Sequence, residues 1–254
     1  MRLVLIGSGN VATAFGVKLK AAGHDIVQVF SRNLQHAGIL AHLLDAVPTD
    51  QVSKIAKNAD LYIIAVPDNE LYRSALRLDP LLVVHTAGSV PMDTLKAMSS
   101  NYGVLYPLQT ISSSSTGTIE IPLLTDANTE NNKKILLSLA RSISENVMPA
   151  NDETRRKLHL AAVLINNFPN HLYSLTEEYC LKENISFNML LPLIKEGAHR
   201  VMNASPTTIQ TGPAIRKDLS TIEKHRGLLK QYPVLLDIYD LFTSSLLNKK
   251  ESPR

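Results

Sequence analysis

The chain has 254 residues, 44% of them apolar and 19% charged, which allows one large or two ordinary domains around a sizeable core. A net charge of +3, carried by dispersed Lys and Arg, argues against nucleic acid as a partner. Cys180, the single cysteine, excludes an internal disulfide, no Cys/His cluster has zinc spacing, and no segment approaches the roughly 18 apolar residues of a membrane helix, so a cytoplasmic protein is expected, with neither metal nor membrane.

The first 150 residues alternate short apolar runs with helical patterns. Leu3 to Ile6 reads as a buried strand, too short for the apolar core of a signal peptide, and Val11 to Ala22 as a helix closed by Gly23. Asp25 to Phe30 is a second strand, Leu34 to Leu44 a helix, Ala46 to Thr49 a short strand and Asp50 to Lys57 another helix. Leu61 to Val66 and Leu81 to His85 are continuous apolar runs, as expected of strands covered on both faces of a parallel sheet. Gly103 to Tyr106, Ile121 to Thr125 and Asn146 to Met148 read as further strands, with a helix from Glu130 to Ser144, and the run Ser112 to Ser115 reads as a loop. From about Asp152 the period becomes helical, over Glu153 to Glu183, Ser186 to Asn203, Pro213 to His225 and Tyr232 to Leu247, before a charged, frayed tail from Asn248. The expected architecture is a doubly wound α/β Rossmann domain, residues 1–150, followed by an all-α domain, residues 151–254.

The chemistry starts at Gly7-Ser8-Gly9-Asn10-Val11-Ala12, a G-x-G-x-x-A turn that follows a strand and opens a helix. That context defines the dinucleotide fingerprint: Gly7 for the tight turn, Gly9 for close approach to the pyrophosphate, Ala12 for packing of helix on strand, and free helix amides for the phosphates. The second strand ends at Phe30-Ser31-Arg32, where an NAD site would usually carry Asp or Glu for the ribose hydroxyls. A hydroxyl and a guanidinium suit a 2′-phosphate instead, and no carboxylate lies nearby in sequence, so NADP is expected over NAD.

Ligands of open α/β sheets lie beyond the carboxyl ends of the strands. Ala65-Val66-Pro67-Asp68 and His85-Thr86-Ala87-Gly88-Ser89 end two strands there. Ala65, Val66, Pro67, Thr86 and Gly88 let the backbone pass close to ribose and nicotinamide, and His85 reads as a proton donor, a substrate ligand or a cap on its own strand. Gln109 and Thr110, in Tyr106-Pro107-Leu108-Gln109-Thr110, are either polar contacts at a cleft or partners of loop backbone.

In the helical part, His159, Val163, Asn166, Asn167 and Asn170 recur near one side of a helix and interrupt the apolar stretch Leu158 to Leu175. A buried polar stripe of this kind needs partners, supplied by substrate and cofactor or by neighbouring helices, and Pro169 is expected to kink the helix. Thr211-Gly212-Pro213 reads as a helix start, with Asp218, Thr221 and His225 on one face. Asp218 is placed to hold His225 or Arg216, and Arg216 is either the contact for an anionic substrate group or a surface ion pair.

Together, Gly7 to Ala12, Ser31-Arg32, Ala65 to Asp68 and His85 to Gly88 resemble the 6-phosphogluconate dehydrogenase-like superfamily. A closer resemblance is to a bacterial family of NADP oxidoreductases with a Rossmann-like domain and a C-terminal domain of unknown function. It rests on Tyr106-Pro-Leu-Gln-Thr110, on the helix from His159 to Asn166-Asn167, and on Thr211-Gly212-Pro213 with Arg216, Asp218 and His225. The resemblance implies NADP as cofactor, a helical domain like that of 6-phosphogluconate dehydrogenase, a homodimer, and a small substrate held between the domains by His85, His159, Asn167, Arg216 and Asp218. The chain departs from β-hydroxyacid dehydrogenases in having Ala162 and Val163 where their catalytic Lys precedes the Asn, and Lys217 stands where a glycine is expected. Two functions follow. The preferred one is hydride transfer between NADP(H) and a small carbonyl- or imine-bearing substrate; the other is a non-catalytic NADP(H) sensor, which the missing Lys favours.

Overall fold

A computed structural model describes residues 1–73, 76–79, 81–112 and 119–248. The serine run beyond Ser112 and the tail beyond Asn248 lie outside the described residues. The chain divides into two compact units, Met1–Ile165 and Asn166–Arg254.

The first unit is built on an eight-stranded sheet of order β3-β2-β1-β4-β5-β6-β7-β8. Its strands are β1 (Arg2–Ile6), β2 (Asp25–Phe30), β3 (Val47–Thr49), β4 (Leu61–Ile64), β5 (Leu82–His85), β6 (Asn101–Pro107), β7 (Leu123–Ala127) and β8 (Val147–Pro149). Every adjacent pair is parallel except β6 with β7. The helices of this unit are α1 (Asn10–Ala21), α2 (Leu34–Leu44), α3 (Asp68–Arg73), α4 (Glu130–Arg141) and α5 (Asp152–Ala162).

The unbroken apolar runs of β1 and β4 follow from cover on both faces. Leu3 and Leu5 of β1 join Phe15 and Leu19 of α1 and Leu40 and Leu44 of α2 in one core, whereas Val4 and Ile6 join Tyr62, Leu71, Leu95 and Met98 in the other. The period-two alternation of side chains therefore divides one strand between two cores. Only a single turn, Val52–Lys54, forms where a helix over Asp50 to Lys57 is expected. The reverse holds at α3, a short helix that too few residues announce for its period to show.

The second unit holds α6 (Phe168–Lys182), α7 (Leu191–Asn203), α8 (Leu219–Leu229) and α9 (Pro233–Leu247). The continuous helix expected over Glu153 to Glu183 is instead α5, a π-helical turn at Val163–Asn167, and α6. Pro169 falls in the first turn of α6, the position where a missing N–H is tolerated. Within α8 and α9, Arg226 pairs through Nε with Asp240 at 2.7 Å and through Nη1 with Glu223 at 2.9 Å, while His225 Nδ1 lies 3.0 Å from Tyr239 Oη.

Candidate active site: a nucleotide pocket and a buried polar cluster

The turn after β1 shows why its first residue is glycine. Gly7 has φ +120°, and a Cβ there would lie 2.1 Å from the Ala65 carbonyl oxygen. No side chain larger than hydrogen fits between the ends of β1 and β4. The chain then turns straight into α1, whose cap residue Gly9 makes no side-chain cap bond and whose first turn carries no acid. The leading amides of α1 thus keep their capacity and their positive end for an anion.

An open pocket of about 440 Å³ lies over this turn, lined among others by Gly7, Ser8, Gly9, Ser31, Arg32 and Pro67. That volume is in the range of small-molecule sites. Ser8 Oγ donates to Ser31 Oγ at 2.9 Å, linking the glycine turn to the end of β2. Ala65 and Val66 form the opposite wall. The side chains of Asn10 and Val11 serve the scaffold, which leaves only their amides to face an anion: Asn10 Nδ2 donates to the Ile111 carbonyl at 3.2 Å, and Val11 packs on the core. The absence of a carboxylate near Arg32 holds only along the sequence, since Arg32 Nη1 lies 2.9 Å from Glu70 Oε2 on α3. Glycine cradle, uncapped amides and the Ser31–Arg32 pair fit the pyrophosphate and 2′-phosphate of NADP(H).

A second group of polar residues collects beyond the carboxyl ends of β5 and β6. His85 is completely buried. The Ala87 N–H donates to its Nδ1 at 3.2 Å, which leaves the ring proton on Nε2, and Nε2 has no hydrogen-bond partner. Burial first, and then the charge of Arg155, push its pKa down to about 4, against weaker favourable influences that include the Pro91 carbonyl. The Pro91 carbonyl helps by proximity alone, without hydrogen-bonding geometry. His85 is therefore neutral at pH 7 and packed away from solvent. Thr86, next along, is tied by its N–H to the Ile64 carbonyl at 3.2 Å.

Arg155 of α5 is also fully buried. Its Nε donates to the Gly88 carbonyl at 3.3 Å, and its Nη2 donates to the Val90 carbonyl and, at 2.8 Å, to Asp152 Oδ1. Asp152 in turn accepts from the Met92 N–H at 3.1 Å. This bracket clamps α5 onto the loop after β5 and brings His159, one turn further on, against the sheet. Tyr106 Oη then lies 2.9 Å from His159 Nδ1. A Cβ on Gly88 would stand 2.8 Å from His159 Nδ1 and 2.9 Å from Tyr106 Cζ, so any larger residue there would force one of the two rings to shift. Burial pushes the Tyr106 pKa up and keeps the phenol protonated near neutrality. Ser89 Oγ donates to Asp68 Oδ2 at 2.6 Å and joins the loops after β4 and β5.

Of the residues expected from sequence, His85, Thr86, Gly88 and His159 thus gather at one end of the sheet. Asn167 lies at the end of the π turn and is exposed, as are Asn166 and Asn170, so the polar stripe is not buried as expected. Arg216 is exposed as well. Asp218 is occupied with capping α8, accepting from the Thr221 N–H at 3.1 Å and from Thr221 Oγ1 at 2.7 Å, while His225 pairs with Tyr239. Gln109 and Thr110 bond within their own loop: Gln109 accepts from the Thr110 N–H and donates to the Glu120 carbonyl. Sequence reading missed Tyr106 as a partner of His159, and Arg155, Asp152 and Glu70 altogether. Tyr106 had a visible signal, an aromatic hydroxyl closing a strand whose neighbour carries a small-residue run.

Fold and pocket define a Rossmann-like dinucleotide-binding protein with a helical C-terminal part. Residues 2–86 match the family described as NADP oxidoreductase, coenzyme F420-dependent, and residues 121–246 match a domain of unknown function, DUF2520. A candidate NADP oxidoreductase of Bacteroides fragilis is 38% identical, with 98% of each chain covered and a TM-score of 0.88. The chain belongs to this family of NADP oxidoreductases, and NADP(H) is its cofactor. An imine reductase of Myxococcus stipitatus in complex with NADP+ shares the fold at 15% identity and TM-score 0.65, covering 97% of this chain and 93% of that one. A pyrroline-5-carboxylate reductase of Coxiella burnetii does so at 17% identity and TM-score 0.57, with 97% and 98% covered. No curated protein matches the chain. Among the described residues, no helix is long and apolar enough to cross a membrane.

Proposed function

We propose that the chain is an NADPH-dependent reductase of a small imine- or carbonyl-bearing substrate, with Tyr106 and His159 as its proton-handling pair. The observation that carries this reading is the 2.9 Å contact between Tyr106 Oη and His159 Nδ1 at the carboxyl end of β6, packed against Gly88. When bound, the cofactor supplies the hydride, and the chain's task is to deliver the proton that a reduced C=N or C=O also requires. The Tyr106 phenol, protonated at neutral pH, gives its proton to the substrate nitrogen or oxygen, and His159 Nδ1 returns one to the phenol oxygen while Nε2 of the partly exposed ring takes one up from water. Buried His85 and Arg155 act on this pair by fixing the loop that carries Gly88. Exposed Asn167 and Arg216 are the proposed substrate contacts of the helical unit, with Arg216 suited to an anionic group. The fold shared with reductases of C=N substrates makes cyclic imines the first probes.

We also propose a homodimer, formed through the helical unit in the cytoplasm. α7 and α9 bury no residue, and Met189, Leu193, Met202 and Leu241 are each at least two-thirds exposed. Light scattering on the full chain tests this, and a monomer at micromolar concentration overturns it.

The catalytic reading is tested by NADPH oxidation with a panel of cyclic imines and small keto acids. Tyr106→Phe is expected to lower kcat at least tenfold while leaving NADPH affinity intact, as is expected when one proton-transfer group is lost. Tight NADPH binding without turnover on any acceptor would point to the sensor.

A further inference from the structure

The nucleotide pocket contains a charge that opposes its own ligand. Arg32 follows β2 and Glu70 lies on α3 after β4, and both line the pocket. In the strand order β2-β1-β4, β1 and its glycine turn lie between them, so the 2.9 Å ion pair bridges across the end of β1. The two partners differ. The Glu70 side chain is 28% exposed and Arg32 is 75% exposed, which makes the carboxylate the anchored member and the guanidinium the movable one. A single guanidinium nitrogen makes the contact, in a setting where ion pairs are weak and readily exchanged.

We propose that Glu70 is a specificity-determining residue, which pairs with Arg32 and competes with the 2′-phosphate for it. This rests on the assignment of NADP(H) as cofactor. A phosphate dianion is the stronger partner for a guanidinium and displaces the carboxylate, but Glu70 then stays as a like charge beside the phosphate. NADH has no phosphate at this position, so it leaves the Arg32–Glu70 pair in place and avoids both costs. Glu70 therefore lowers the preference for NADPH below what Ser31 and Arg32 alone would give.

The test is the dissociation constant of NADPH and of NADH, read by nucleotide fluorescence on the full chain, for the unaltered protein, Glu70→Gln, Glu70→Ala, Arg32→Ala and the Arg32→Ala/Glu70→Gln double variant. Both Glu70 variants are expected to bind NADPH about three- to tenfold more tightly, with NADH changed less than twofold. Arg32→Ala is expected to lose NADPH affinity at least tenfold, and the gain from Glu70→Gln is expected to be smaller in its background than in the unaltered protein, because competition for the guanidinium is gone and only like-charge repulsion from the phosphate remains. Unchanged or weaker NADPH binding in both Glu70 variants would overturn the inference, and so would an equal gain for NADH. If the unaltered chain binds neither nucleotide, the cofactor assignment itself fails, a result distinct from a flat Glu70 series.

Discussion

His85 offers the most direct measure of how the buried cluster is held. Its ring is fully buried and its pKa drops from 6.5 to about 4, so the folded protein binds this proton less readily than the unfolded chain does. The associated stability is present above pH 6.5 and is lost as pH falls toward 4, because the unfolded state takes up the proton first. At about 1.4 kcal/mol per pH unit, the full interval between 6.5 and about 4 is worth about 3 kcal/mol. By the same linkage, roughly 2 kcal/mol has gone by pH 5. Urea unfolding at pH 7 and pH 5 measures it, with His85→Asn as the variant that cannot titrate. The variant starts less stable, but its loss between the two pH values is expected to be smaller by about 2 kcal/mol. Ring-proton NMR gives a second reading on the native protein, in which His85 shows no titration between pH 8 and 5. Equal acid losses in the two proteins, or a His85 resonance titrating near 6.5, would refute the argument that desolvation and Arg155 set this group's charge.

Gly7→Ala forces a Cβ to within 2.1 Å of the Ala65 carbonyl at a φ of +120°; we expect loss of at least tenfold in NADPH affinity, read by fluorescence titration, together with a lower Tm. Gly88→Ala overlaps the Tyr106 and His159 rings and is expected to destabilise by about 1–3 kcal/mol in urea unfolding, with turnover reduced more than NADPH affinity. Lys217 adopts φ +56°, which L residues adopt at a cost, so Lys217→Gly is expected to stabilise by up to about 1 kcal/mol, seen as a raised urea midpoint at unchanged slope.

Much of the nucleotide half was legible from one dimension. Residues 1–86 carry their chemistry in local order: strand, glycine turn, helix, strand, Ser31-Arg32. Hydrophobic alternation and turn chemistry act over a few residues, so they appear in the string. The glycine expected in place of Lys217 comes from the family resemblance, and the structure supplies its reason, a φ of +56° at that residue.

What eluded the sequence has a common cause. Glu70 meets Arg32 because β1 is threaded between β2 and β4; Tyr106 meets His159, and Arg155 meets Gly88 and Val90, because α5 packs back on the sheet. Asp218 and His225 fell on one predicted face, but the helix starts at Leu219, so Asp218 became its cap and His225 took Tyr239 as partner. Local sequence determined the strands of the sheet and carries the glycine turn proposed for the phosphates of NADP(H). Only tertiary packing decided which side chains share a site, because the partners of a buried polar group are chosen by chain crossings many residues apart, and a burial cost such as that on His85 exists only once the core has closed.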